Sequence, residues 1–117
     1  MLFRSPALGG NDEGANPVEY VLAAYAGCLN VMSHVIAGEM NIDLKGVEIK
    51  LAGTLNPDKL FGKSDEERAG YKQIEVSIKP DTDAPEEVLQ KWLEQVCDRC
   101  PVSDNIKNIT PVNVKLA

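Results

Sequence analysis

Positive charge is scarce in this chain: 12 Lys and Arg stand against 18 Asp and Glu, for a formal net charge of −6. With no basic stripe to displace counterions from phosphates, nucleic acid is excluded as a partner class, and no basic cluster is present to hold an anionic membrane. The opening residues, Met1-Leu2-Phe3-Arg4-Ser5-Pro6, lack a basic region followed by a long apolar segment. No secretory signal is read there, and a cytoplasmic location is expected. Three cysteines, an odd number without a signal, argue against a secreted disulfide scaffold and for thiols with chemical or packing roles. There is one histidine, His34, and there are no internal repeats, low-complexity tracts or linkers. At 117 residues and 44% hydrophobic content, residues 1–117 are expected to form a single domain with a modest core.

What the chain does have is one long apolar stretch, residues 16–40. Asn16 can cap a helix, Pro17 suits the first helical position, and Glu19 stands where a capping-box carboxylate reaches back. From Tyr20 to Gly38 no residue is charged, and residues 21–29 are apolar on every face. Such a helix must be enclosed by other structure, and Cys28 is expected inside the core. So short a chain supplies little cover, so an oligomer is expected. Asn41 followed by Ile42 gives a stop, with Asn in the left-handed conformation and Ile42 folding back. The run is of borderline length for a membrane span, but Asn30, Ser33 and His34 are polar and its many small residues carry little transfer energy, so it is read as a core helix.

Residues 5–15 are rich in Gly, Pro, Asn and Asp and read as an irregular lead-in. Residues 47–55 alternate, with Val47, Ile49 and Leu51 on one face and Gly53 at a bulge. After a turn at Asn56-Pro57-Asp58, a charged loop over residues 59–70 carries the apolar pair Leu60-Phe61. Lys72, Ile74, Val76 and Ile78 mark a second strand, antiparallel to the first and ended by Pro80. Pro85 opens an amphipathic helix through Val88, Leu89, Trp92, Leu93, Val96 and Cys97, which breaks at Cys100-Pro101. A short helix restarts at Pro101 and runs to Ile106. The alternation of Val112, Val114 and Leu116 with Asn113 and Lys115 predicts a closing strand. The order helix, strand, strand, helix, strand fits an α+β class.

Two thiols invite chemistry. Cys28 reads either as a small packing residue or as a buried nucleophile. Its own helix cannot activate it: Glu19 lies nine residues away, about 13 Å along the axis and on the opposite face, and His34 also points elsewhere. Activation must come from another element or subunit. Cys100 stands at the start of the short helix, where free amide groups favour a thiolate, or else it caps or packs. Cys97-Asp98-Arg99-Cys100 has the spacing of a redox dithiol or half a zinc site, but no metal or cofactor is implied. His34 is read as a core or boundary residue.

The stretches Pro6-Ala7-Leu8-Gly9-Gly10, Asn16-Pro17-Val18-Glu19, Ala26-Gly27-Cys28-Leu29, Cys100-Pro101-Val102-Ser103 and Thr110-Pro111-Val112 together resemble the OsmC/Ohr family of osmotically inducible and organic hydroperoxide resistance proteins. The resemblance covers nearly the whole chain. It implies an antiparallel sheet wrapped around a long central helix plus a second helix, in an intertwined homodimer. It also implies reduction of organic hydroperoxides in oxidative stress defence, with Cys28 peroxidatic, Cys100 resolving, and an external thiol reductant completing the cycle. Tyr25, Met32, Leu60, Phe61 and Trp92 are candidates for an apolar surround, and Glu19 and Cys97 for supporting roles. The match departs from the family in three respects. Strands and an activating arginine before the glycine-rich lead-in have almost no counterpart, and Arg4 does not match that arginine. The catalytic glutamate of the peroxidase branch falls on Val18, one position before Glu19. Cys97 is an additional thiol. The chain therefore resembles the broad OsmC-like branch, of unsettled function, more than the specialised peroxidases. The alternative expectation is a non-catalytic dimer binding a small apolar ligand.

Overall fold

The computed structural model describes residues 16–117. The lead-in over residues 5–15, with its Gly9-Gly10 pair, lies outside the described residues, as does Arg4. The elements run α1 (Pro17–Glu39), β1 (Gly46–Thr54), β2 (Gln73–Asp81), α2 (Glu86–Arg99) and α3 (Pro101–Lys107).

Helix α1 begins as its capping residues dictate. Asn16 Oδ1 accepts from the Glu19 amide at 2.9 Å and Glu19 Oε1 accepts from the Asn16 amide at 3.3 Å, which satisfies two amides that a helix start leaves unpaired. Its end is equally local. Asn41 takes a φ of 56°, and the Ile42 amide reaches back to the Ala37 carbonyl at 2.8 Å, so the side chain of Ile42 returns to the core.

The hairpin β1–β2 is antiparallel and pairs Gly46 with Asp81 through Thr54 with Gln73 without interruption. Ile49 stands opposite Ile78 and Leu51 opposite Val76, so the apolar positions of both strands fall on one face. That face, through Val47, Ile49, Leu51, Ile74 and Ile78, packs against the core cluster. Two details differ from the sequence reading. Pro80 does not end β2 but pairs within it opposite Val47, which a two-stranded sheet permits because every strand is an edge. Gly53 marks no bulge: the Tyr71 ring occupies the space that a Cβ there would need, and the Tyr71 hydroxyl donates to the Val18 carbonyl at 2.6 Å. The loop over residues 55–72 is thereby fastened to the start of α1. Within it, Asn56 accepts from the Asp58 amide and donates to Glu67, which also pairs with Lys72 at 3.1 Å.

Helices α2 and α3 pack on α1. The core consists of Tyr25, Leu29, Ile36 and Ala37 from α1, Trp92 and Val96 from α2, and Cys100 at the junction of α2 and α3. Trp92 is fully enclosed and its indole N–H donates to the Ser33 carbonyl at 2.9 Å, while Ser33 Oγ donates to the Leu29 carbonyl at 2.7 Å. A buried serine, with no long side chain to displace, lets α2 approach closely, and both of its polar groups are satisfied.

Three features of the single chain differ from the sequence reading. Among the described residues of this one chain, helix α1 is enclosed on one face: Val21, Val31 and Val35 are exposed, at 42%, 58% and 44%. Cys28 is half-buried rather than enclosed. The closing strand is absent among the described residues: residues 109–117 have no regular structure, with Ile109 98% and Leu116 100% exposed. Alternation makes a segment competent to be a strand, but a strand also needs a pairing partner, and residues 109–117 pair with neither edge of the β1–β2 hairpin.

Candidate active site

Seventy-two residues of sequence separate Cys28 from Cys100, and the fold brings their sulfurs to 3.0 Å, with the Cys100 thiol donating to Cys28 Sγ. Both are free thiols. A disulfide needs about 2.05 Å, about 1 Å less than this separation.

Each sulfur is placed by its own element. Cys28 lies in the middle of α1, packed against the core cluster but turned toward its edge. At about 100° per residue it falls between the buried stripe of Tyr25, Leu29 and Ser33 and the exposed stripe of Val31 and Val35. Cys100 has an extended backbone, φ −77° and ψ 113°, because Pro101 disfavours a helical residue before it. This break ends α2, and Cys100 becomes the N-cap of α3, its sulfur accepting from the Ser103 amide at 3.4 Å.

The electrostatics of Cys100 run against the expectation of a stabilised thiolate. Burial pushes the thiol above its ordinary pKa, and the hydrogen bond to Cys28 adds to the rise. The amides of Ser103 and Val102 pull the other way and are outweighed. Cys100 is therefore held as a neutral thiol at neutral pH, suited to donate a proton to the Cys28 sulfur.

The other candidates are placed as follows. Tyr25 is buried, and its hydroxyl shares a 3.2 Å hydrogen bond with the buried hydroxyl of Ser103. Glu19 is held at the helix cap by the Asn16 amide. Phe61 and Leu60 are about half exposed on the loop, with Lys63 Nζ 5.8 Å from the Phe61 ring. Cys97 is a half-buried free thiol in the last turn of α2. Next to Cys100, Arg99 pairs with Glu39 through two bonds of 2.7 and 3.0 Å, which joins the end of α2 to the end of α1. Among the described residues, no group of three or more His, Cys, Asp or Glu side chains converges to hold a metal ion. A surface pocket of about 480 Å³ lies among α1, β2 and α3, lined by residues that include Tyr25, Arg68, Tyr71 and Ile106 but neither sulfur. Sequence reasoning missed Ser103 as a site residue. The only signal was its place three residues after a cysteine at a helix start, where a first-turn amide bonds its cap.

An α+β chain in which a helix cysteine meets a second cysteine at a helix junction defines a class of two-thiol domain. The model of the OsmC-like protein family matches residues 9–115, and the chain belongs to that family. Solved structures share the fold. The OsmC-like protein of Mycoplasma pneumoniae superimposes with a TM-score of 0.74 at 15% identity, covering 83% of this chain and 65% of that one. The organic hydroperoxide resistance protein OhrB of Bacillus subtilis gives 0.59 at 24% identity, covering 93% and 73%. The organic hydroperoxide resistance protein OsmC of Legionella pneumophila gives 0.61 at 20%, covering 88% and 69%. No curated protein matches the sequence. Helix α1 has the length and composition of a membrane span, but in this family fold it is the core helix on which α2, α3 and β1 pack.

Proposed function

We propose that this chain is a thiol-dependent peroxidase that reduces organic hydroperoxides through Cys28 and Cys100. The observation that supports it best is the 3.0 Å contact between two thiols from different elements, one half-buried and reachable, the other enclosed. In the reading, the Cys28 sulfur attacks the distal peroxide oxygen: Cys28–SH and ROOH give Cys28–SOH and ROH. Cys100–SH then condenses with the sulfenic acid, forming the Cys28–Cys100 disulfide and releasing water. An external dithiol reduces that disulfide and is itself oxidised. The apolar residues around Cys28 favour organic over small hydrophilic peroxides. Family membership and the hydroperoxide-resistance names of two structural relatives support the same reading.

The acting unit we propose is a homodimer, residues 1–117 forming one OsmC-like domain in each protomer. Exposed Val21, Val31 and Val35 on the central helix, and the apolar alternation of residues 109–117, are surfaces that a second copy would cover. Cys28, at the border of that exposed stripe, would then lie at the seam. The cytoplasm, where external dithiols are reduced, is the compartment this cycle needs.

A second reading, a non-catalytic dimer binding a small apolar ligand, is favoured by two observations. Val18 stands at the family's glutamate position, and Glu19 is engaged at the helix cap. Turnover of cumene hydroperoxide with a dithiol reductant decides between them. Peroxidase activity that disappears in Cys28→Ser supports the first reading. Wild-type turnover no greater than that of Cys28→Ser removes it in favour of the second.

A further inference from the structure

Three residues before Cys28 and three residues after Cys100 stand Tyr25 and Ser103, and their hydroxyls meet at 3.2 Å in a buried setting. Tyr25 lies about one turn from Cys28 on α1, and Ser103 lies in the first turn of α3, whose N-cap is Cys100. The contacts close a ring: Cys28 Sγ to Cys100 Sγ, Cys100 Sγ to the Ser103 amide, Ser103 Oγ to Tyr25 Oη, and back along α1 to Cys28. Ser103 is fully enclosed, so a hydroxyl there without its partner would carry the cost of an unsatisfied buried group. The hydrogen bond is the one polar contact between α1 and α3 that brackets both sulfurs, and it fixes the register of the two elements that carry them.

We propose that Tyr25 and Ser103 are positioning residues for the resolving step: their hydrogen bond holds the N-terminus of α3 against α1 so that Cys100 stays within reach of the oxidised Cys28. This rests on the Cys28–Cys100 cycle described above. The two hydroxyls bond each other and neither contacts the Cys28 sulfur, so the pair is expected to act on disulfide closure and not on the first oxidation. Its chemical value is speed: a sulfenic acid captured promptly escapes over-oxidation to the sulfinic acid.

The test compares the full-length wild-type chain with Tyr25→Phe, Ser103→Ala and the conservative Ser103→Thr. One equivalent of cumene hydroperoxide is added and dimedone traps any sulfenic acid. Mass spectrometry follows dimedone adduct, disulfide and free thiol at Cys28. Loss of the free thiol is expected at the wild-type rate in Tyr25→Phe and Ser103→Ala, with disulfide closure slower by about tenfold, the scale of one hydrogen bond, and dimedone adduct accumulating. Ser103→Thr is expected to close at a rate near wild type. In a glutathione redox titration, which involves no peroxide, the disulfide's equilibrium constant is expected to fall by a similar factor in the first two variants. Closure and equilibrium constant both unchanged in Tyr25→Phe and Ser103→Ala would overturn the proposal, as would an equal slowing of Cys28 oxidation itself. A wild-type protein that forms neither adduct nor disulfide would instead overturn the peroxidase reading on which it stands.

Discussion

The thiol of Cys100 illustrates how two local effects compete for one proton. As the N-cap of α3 it faces the Ser103 amide, which favours a thiolate, but burial and the neighbouring Cys28 sulfur prevail and raise its pKa. Deprotonation therefore needs a higher pH in the fold than in the unfolded chain. In a Cys97→Ser background, alkylation of Cys100 by iodoacetamide is expected to be slow at neutral pH and to rise roughly tenfold per pH unit up to the ordinary thiol range without levelling off. Peptide mapping reads this directly; a plateau near neutrality would mean a stabilised thiolate. The same shift has a thermodynamic sign: because the unfolded chain releases this proton first, stability contributed by the neutral thiol is intact below the ordinary thiol pKa and is lost as pH rises through the folded value. Glycine 53 gives a second prediction at this scale. Gly53→Ala forces the Tyr71 ring aside, and a loss of about 1–3 kcal/mol in denaturant unfolding is expected, with Gly53→Ala/Tyr71→Ala recovering part of it. The meeting of Cys28 with Cys100 was legible only through resemblance to a family. Spacing along one helix can exclude Glu19 and His34 as neighbours, but it cannot locate a sulfur 72 residues away.

At the scale of elements, what the sequence made plain was whatever depends on neighbours in the chain. Asn16, Pro17 and Glu19 set the start of α1; Asn41 and Ile42 set its end; Pro101 sets the break that presents Cys100. Residues 109–117 mark the opposite case, since their alternation is a local property and their pairing is not. Pro80 fails as a stop for a related reason: its cost depends on how many neighbours a strand has, and β2 has one among the described residues. Capping accounts for the contacts that Glu19 makes in this fold. Asn16→Ala is expected to lower stability by about 1 kcal/mol, and Glu19→Ala by less, with neither changing the rate at which Cys28 consumes hydroperoxide. Unfolding curves and thiol-loss kinetics on the same samples check both parts. A slowed Cys28 reaction in Glu19→Ala would assign that carboxylate to the chemistry.

For the whole molecule, the central helix makes the argument. Its composition demands cover on every face, and the described residues cover one; the exposed Val31 and Val35, and a tail whose Ile109 and Leu116 are almost wholly in solvent, are the remainder. If a second copy completes the fold, Val31→Glu should shift the protein from dimer toward monomer in analytical ultracentrifugation and reduce activity with it, because Cys28 borders the same stripe. A monomeric wild-type protein with full activity would remove the dimer from the account. The central claim, though, concerns two sulfurs. Fully reduced protein treated with one equivalent of an organic hydroperoxide, digested without reductant and mapped by mass spectrometry, should yield peptides joined through Cys28 and Cys100, with Cys97 still free. Cross-links through Cys97 alone, or thiols at Cys28 and Cys100 untouched by the oxidant, would contradict it.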